Sequence, residues 1–124
     1  MKKLLPILAI ATPFLFACAS SMAPPTQRLA DAQAAERGAK EVGADAQPES
    51  QLSLKLAQDQ IAQAQKAMGD DENVRADGLL LRARADAELA IAQAREKDAT
   101  TELTRATEAA AAQKSTNVGQ GAIK

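Results

Sequence analysis

The 124-residue sequence predicts an all-α fold: a small alanine-rich three-helix arrangement, an antiparallel hairpin plus an N-terminal helix, with a long overhanging third helix. Three observations carry that expectation. Apolar residues recur at spacings of three and four in three separate stretches, the period of one helix face. Past the first 20 residues, proline occurs only at Pro24, Pro25 and Pro48, each where a helix begins, and proline is tolerated in a first helical turn. Hydrophobic content is 46% but aromatic content is 2%, confined to Phe14 and Phe16. A wide core needs large side chains; alanine with a few Leu, Ile and Val supports thin, closely approaching helices. The length allows one domain at most.

Residues 18–25 read as a flexible leader ending in Pro24 and Pro25. Helix 1 is expected over about residues 26–43, with Leu29, Ala32, Ala35, Ala39, Val42 and Ala46 on one face. Glu36 with Lys40 and Arg37 with Glu41 are spaced for exposed i,i+4 pairs. Gly43 and the polar residues up to Pro48 break the pattern. Helix 2, about residues 48–68, opens with Pro48 and Glu49, an acid near the positive end of the helix dipole. Its seam is Leu54, Ala57, Ile61, Ala64 and Met68, and Gly69 is a natural stop before the polar turn Asp70, Asp71, Glu72. Asn73 can cap helix 3, which meets no proline and one glycine, Gly78, before Lys114. The helical domain thus covers residues 26–114, and the polar residues 115–124 are expected to be a disordered tail.

Helix 3 carries two stripes, Ala76, Leu80, Ala83, Ala87, Ala90, Ala94 and Ala85, Leu89, Ala92, Ala99, Leu103, Ala106, Ala110, about 200° apart around the axis. Two apolar faces suggest two neighbours, helices 1 and 2, over the first half. Helix 2 reaches only to about Arg95, so Ala99, Leu103, Ala106 and Ala110 are left without a partner in the chain. That stripe is a candidate surface for self-association or for an envelope protein partner. Gly38 and Gly78, inside helices, either permit close backbone approach or are simply tolerated.

At the N-terminus, Lys2 and Lys3 precede an apolar run from Leu4 to Phe16, interrupted by Pro6 and Pro13. It is shorter than the ~20 apolar residues a bilayer span needs and has the length of a signal-peptide core. Leu15, Phe16, Ala17 and Cys18 follow, which resembles the bacterial lipobox, with Phe16 bulkier than usual at its position. The resemblance implies signal-peptidase recognition through Leu15 and Ala17, removal of residues 1–17, and lipidation of Cys18. More than one acyl chain gives stable membrane anchoring, and Ala19 rather than Asp after the cysteine implies the outer membrane, facing the periplasm.

The alanine-rich helix, the Pro48–Glu49 start, the Gly69–Asp70 turn and the segment RADAELAIAQA, residues 84–94, together resemble the helical domain of bacterial envelope lipoproteins named domain of unknown function 4398. The likeness spans about residues 26–95. It implies an envelope location, and in some members fusion to peptidoglycan-binding domains. It carries no activity and no functional residues.

Chemistry is sparse. The chain has no His, no Tyr and one Cys, so no nucleophile–base pair can be nominated, and no catalytic residue, cofactor or metal is expected. Asp70, Asp71, Glu72 and Asp77 lack calcium-loop spacing and read as a solvated turn. Lys and Arg number 15 against 16 Asp and Glu; without Lys2 and Lys3 the balance is −3. No basic excess and no stacking aromatics speak against nucleic acid. The expectation is therefore a non-enzymatic outer-membrane lipoprotein, held to the membrane by its lipid and acting as a structural or adaptor element. Two alternatives stay open: covalent peptidoglycan attachment through Lys124, as in small alanine-zipper lipoproteins, and a small-ligand carrier, which the lack of bulky apolar residues disfavours.

Overall fold

The computed structural model describes residues 22–121, with side chains described through residue 117. Three helices follow one another: α1 (Thr26–Glu41), α2 (Pro48–Gly69) and α3 (Asn73–Gly121). Pro25, itself buried, stands at the N-cap of α1, and its carbonyl accepts from Leu29 N at 3.1 Å. α2 has Pro48 in its first turn behind an extended Gln47.

The two turns are built alike. After α1, Gly43 takes φ +75°, its N–H donates to Lys40 O at 2.9 Å, and Ala44 N donates to Ala39 O at 3.0 Å. This is the Schellman closure, in which a left-handed residue lets two N–H groups satisfy the last helical carbonyls. Ala44 is buried against Ala39, the apolar contact that accompanies the motif. After α2 the left-handed residue is Asp71, at φ 59°, with Asp71 N donating to Met68 O at 3.3 Å and Glu72 N to Ala67 O at 2.8 Å. Gly69, expected to end the helix through its flexibility, is its last residue with φ negative; Asp71 makes the turn. Asp enters this conformation more readily than most non-glycine residues, its side chain being short and polar.

Polar contacts set the order of the helices. Gln47, Ser53 and Gln60, ascending, meet Asp98, Gln93 and Asp86, descending, at 3.0, 3.0 and 2.6 Å, so α2 and α3 form the expected antiparallel hairpin. Met22 O accepts from Asn73 Nδ2 at 2.8 Å, Arg28 pairs with Asp77, and Ile91 packs at Gly38. α1 therefore runs parallel to α3, and α1, α2 and α3 go up, down and up. Ser50 closes the upper turn by donating to Ala44 O at 2.9 Å.

The core is as thin as the composition requires. Ala32, Ile61, Ala64, Ala67, Ala76, Leu80 and Ala83 fill one end; Ala39, Ala44, Leu54, Ala90 and Ala94 fill the other. The first α3 stripe, Ala76 through Ala94, is buried at every position. The second is not: Ala85, Leu89 and Ala92 are exposed alongside the bundle, which corrects the expectation that α1 and α2 cover both. Two helices that touch one another and α3 occupy adjacent corners of a triangle, so both face one side of α3. A stripe on the far side is out of their reach.

The expected tail is also corrected in part. α3 continues as helix through Gly121, where residues 115–124 were expected to be disordered. No proline interrupts this stretch, and Ser115 and Thr116 donate to Ala112 O at 2.7 and 2.9 Å, which keeps their hydroxyls from competing for a non-helical backbone.

Candidate functional site

Beyond Ala94, no described residue of α3 is buried. Residues 95–117 are exposed apart from half-buried Thr101, and the Gln47–Asp98 bond marks where α2 ends alongside it. From Asp98 to Gly121 the helix runs free for about 36 Å. Ala99, Leu103, Ala106 and Ala110 all lie on this free part and all are exposed, Leu103 at 66%.

The stripe is longer than those four residues. Leu81, Ala85, Leu89 and Ala92 precede them on the same face, with Leu81 and Leu89 about half exposed, at 50% and 48%. From Leu89 the positions 89, 92, 96, 99, 103, 106 and 110 alternate by three and four, the heptad spacing of a coiled-coil seam. Glu96 is the one charged member. The buried seam behaves in the opposite way: continued past Ala94 it meets Lys97, Thr101, Thr104 and Glu108. Beyond the bundle, the polar and apolar faces of α3 are thus reversed. A single expectation of one neighbour per stripe hid this, although the change at Lys97 was visible in the sequence.

Threonines on the polar side return their hydroxyls to the backbone: Thr100 to Glu96 O, Thr101 to Lys97 O and Thr104 to Thr100 O, at 2.8 to 2.9 Å. The high helix propensity of the alanines lets the free segment hold its shape without tertiary contacts, against the slight cost of these back-bonds.

The acidic turn is occupied by local pairing. Asp70 pairs with Lys66 and Glu72 with Arg75, each at 2.7 Å, and Asp77 with Arg28. The hydrogen bond and charge of Asp70 raise the Lys66 pKa, and Glu88 does the same to Arg84; both cations are solvated. Among the described residues no three carboxylates converge on a metal-sized site, and no helix is long and apolar enough to cross a membrane. Surface hollows are open and mixed in lining: about 390 Å³ beside Pro48, Leu52 and Lys55, and about 420 Å³ beside Gln63, Val74 and Arg82. Leu15, Ala17, Cys18 and Lys124, expected to matter for processing and attachment, lie outside the described residues.

Ser50 and Ser53 were missed as interior positions. Both are buried, and they extend the α2 seam backwards at its own spacing, 50, 53, 57, 61, 64. A search restricted to apolar residue types passes over them.

Fold and surface together define a class: an up-down-up bundle with one helix continued far beyond its partners. The chain belongs to the family named domain of unknown function 4398, which matches residues 27–106. The match therefore takes in Ala99, Leu103 and Ala106 on the free helix as well as the bundle. No curated protein and no solved structure matches the chain.

Proposed function

We propose that this chain is a non-enzymatic outer-membrane lipoprotein, anchored through Cys18 and acting as a structural or adaptor element of the periplasmic side of the envelope. The observation that carries the adaptor role is the reversal of faces on α3. A helix built only to complete a bundle has no use for an apolar stripe where its partners have ended. Leu89, Ala92, Ala99, Leu103, Ala106 and Ala110 form such a stripe, and their small size allows close helix approach. The contact it makes is narrow, with self-association through this stripe the simplest form. Sedimentation of lipid-free protein beginning at Ala19, wild type beside Leu103→Glu and Ala106→Glu, tests it. Concentration-dependent association of the wild type that both variants lose is the expected result. A wild type that stays monomeric at high concentration removes the homo-oligomeric form, and an unchanged in-cell crosslinking pattern in the variants removes the stripe as a contact surface.

Helical continuation of α3 through Gly121, at the end of the molecule away from Met22, favours one second reading, covalent attachment to peptidoglycan through Lys124. Muropeptides from digested sacculi carry the C-terminal peptide in that case and lack it otherwise.

A further inference from the structure

We infer that the chain stands end-on from the lipid surface, resting on the end of the bundle where α1 and α3 begin, so that α3 is a spacer carrying its free half away from the membrane. This rests on the lipidation of Cys18 proposed above. Four peptide links separate Cys18 from Met22, a reach of about 14 Å at full extension. Met22 is held at the foot of α3, since its carbonyl accepts from Asn73 Nδ2 at 2.8 Å and Asn73 is buried. Whatever path residues 19–21 take, covalent geometry keeps an anchored Cys18 within that reach of Met22, which sits beside the first turn of α3.

Direction follows from topology. The start of α1, the end of α2 and the start of α3 share this foot, and both upward helices leave it together. Over its 49 residues α3 rises about 73 Å, so, with the leader's reach and the Met22–Asn73 link both allowed for, Gly121 lies at least about 50 Å from the anchor. The bundle ends near Asp98, about 39 Å up, and the apolar stripe beyond it lies farther out still.

The composition of α3 opposes the other posture, flat on the membrane. A helix that lies in the interface presents large apolar and aromatic side chains on one face and an excess of Lys and Arg on the other. α3 has no aromatic residue and carries seven basic against seven acidic residues. Its exposed stripe is mostly alanine and holds Glu96 in its middle, a group that resists burial in acyl chains. The foot exposes Asp70, Asp71 and Glu72, of which Asp70 and Glu72 are paired with Lys66 and Arg75, so the hold on the membrane there is the lipid itself and not an attraction of the foot to anionic headgroups.

The test uses the full-length lipidated protein in vesicles of phosphatidylethanolamine and phosphatidylglycerol carrying acceptor-labelled headgroups. A donor dye is placed on Asp70→Cys at the foot or on Ala110→Cys on the free helix, both exposed positions; an acylated Cys18 takes no dye. Energy transfer several-fold stronger from position 70 than from position 110 is the expected result. Equal transfer from the two, in protein whose lipid is confirmed by mass spectrometry, overturns the spacer and leaves the lipoprotein reading standing. Absence of lipid on Cys18 overturns the lipoprotein reading, and the spacer with it.

Discussion

Gly43 and Asp71 occupy the same place in two equivalent turns, yet one is glycine and the other is not. A Cβ in the left-handed region costs about 1–2 kcal/mol, so Gly43→Ala is expected to lower the unfolding free energy by roughly that amount. Asp71→Gly is expected to raise it by up to about 1 kcal/mol, measured by urea denaturation of the lipid-free chain. The interior glycines act differently. A Cβ at Gly78 meets nothing within 4 Å, and at Gly38 it meets Ile91 Cδ1 at 3.6 Å, an ordinary contact. Neither is required for close approach, and Gly78→Ala is expected to stabilise by about 0.5–1 kcal/mol through helix propensity alone. A loss of stability there would reveal a contact that the bundle itself does not make. Leu80, 1% exposed, and Ile61, at 6%, are the larger buried side chains of the cluster at the foot of the bundle, otherwise made of alanine. Leu80→Ala and Ile61→Ala are each expected to cost about 2–5 kcal/mol, and unchanged melting would place the core elsewhere.

On α3, two alanine stripes that look equivalent in the sequence have opposite environments, and a matched substitution separates them. Ala87 is fully buried between its neighbours, whereas Ala85 is exposed on the far face. Adding three carbons at Ala87 forces the helices apart, so Ala87→Leu is expected to destabilise by about 1–3 kcal/mol. Ala85→Leu is expected to leave the melting midpoint nearly unchanged, as surface substitutions stay within about 0.5 kcal/mol. Equal effects from the two would mean that another helix covers both faces. The ladder of polar contacts between α2 and α3 has a different part. Gln60–Asp86 and Ser53–Gln93 fix one register between alanine faces that fit almost equally well one turn along; alanine packing by itself discriminates poorly, and a partly buried polar pair left unmatched by a slip is costly.

For the whole molecule, the separation of bundle from free helix makes a direct prediction. A chain ended after residue 98 loses no buried residue among those whose side chains are described, up to residue 117, so it is expected to unfold with the same midpoint as the longer chain at low concentration. A large drop in midpoint would show that the distal helix stabilises the bundle. The anchor is tested separately. Cys18 is the only thiol, so Cys18→Ser is expected to abolish incorporation of a fatty-acid analogue and to leave unprocessed precursor. Label retained by the serine variant would sink the lipoprotein reading, and lipidated protein found in the inner membrane would remove the sorting inferred from Ala19.

Much of this architecture follows from local patterns that the chain carries in its own order. Helix starts at Pro25 and Pro48, stops near Gly43 and Gly69, and the seams Leu54 through Met68 and Ala76 through Ala94 are all short-range features: proline geometry, left-handed turns and a three-and-four period act within a few residues. The heptad period along α3 was equally legible, and so was the point near Arg95 where α2 runs out, because helix length converts directly to distance. What tertiary structure alone decided is which of two similar alanine stripes is inside. Periodicity identifies faces but not neighbours, and three helices in mutual contact meet at one line, which leaves the opposite stripe of α3 to solvent from Leu81 onward. It also decided that Ser50 and Ser53 are interior, and that α1 lies parallel to α3 with Met22 hooked to Asn73. The contacts that set α1 beside α3 join residues about 50 positions apart, and no local pattern in an alanine-rich chain distinguishes them from their neighbours one helical turn away.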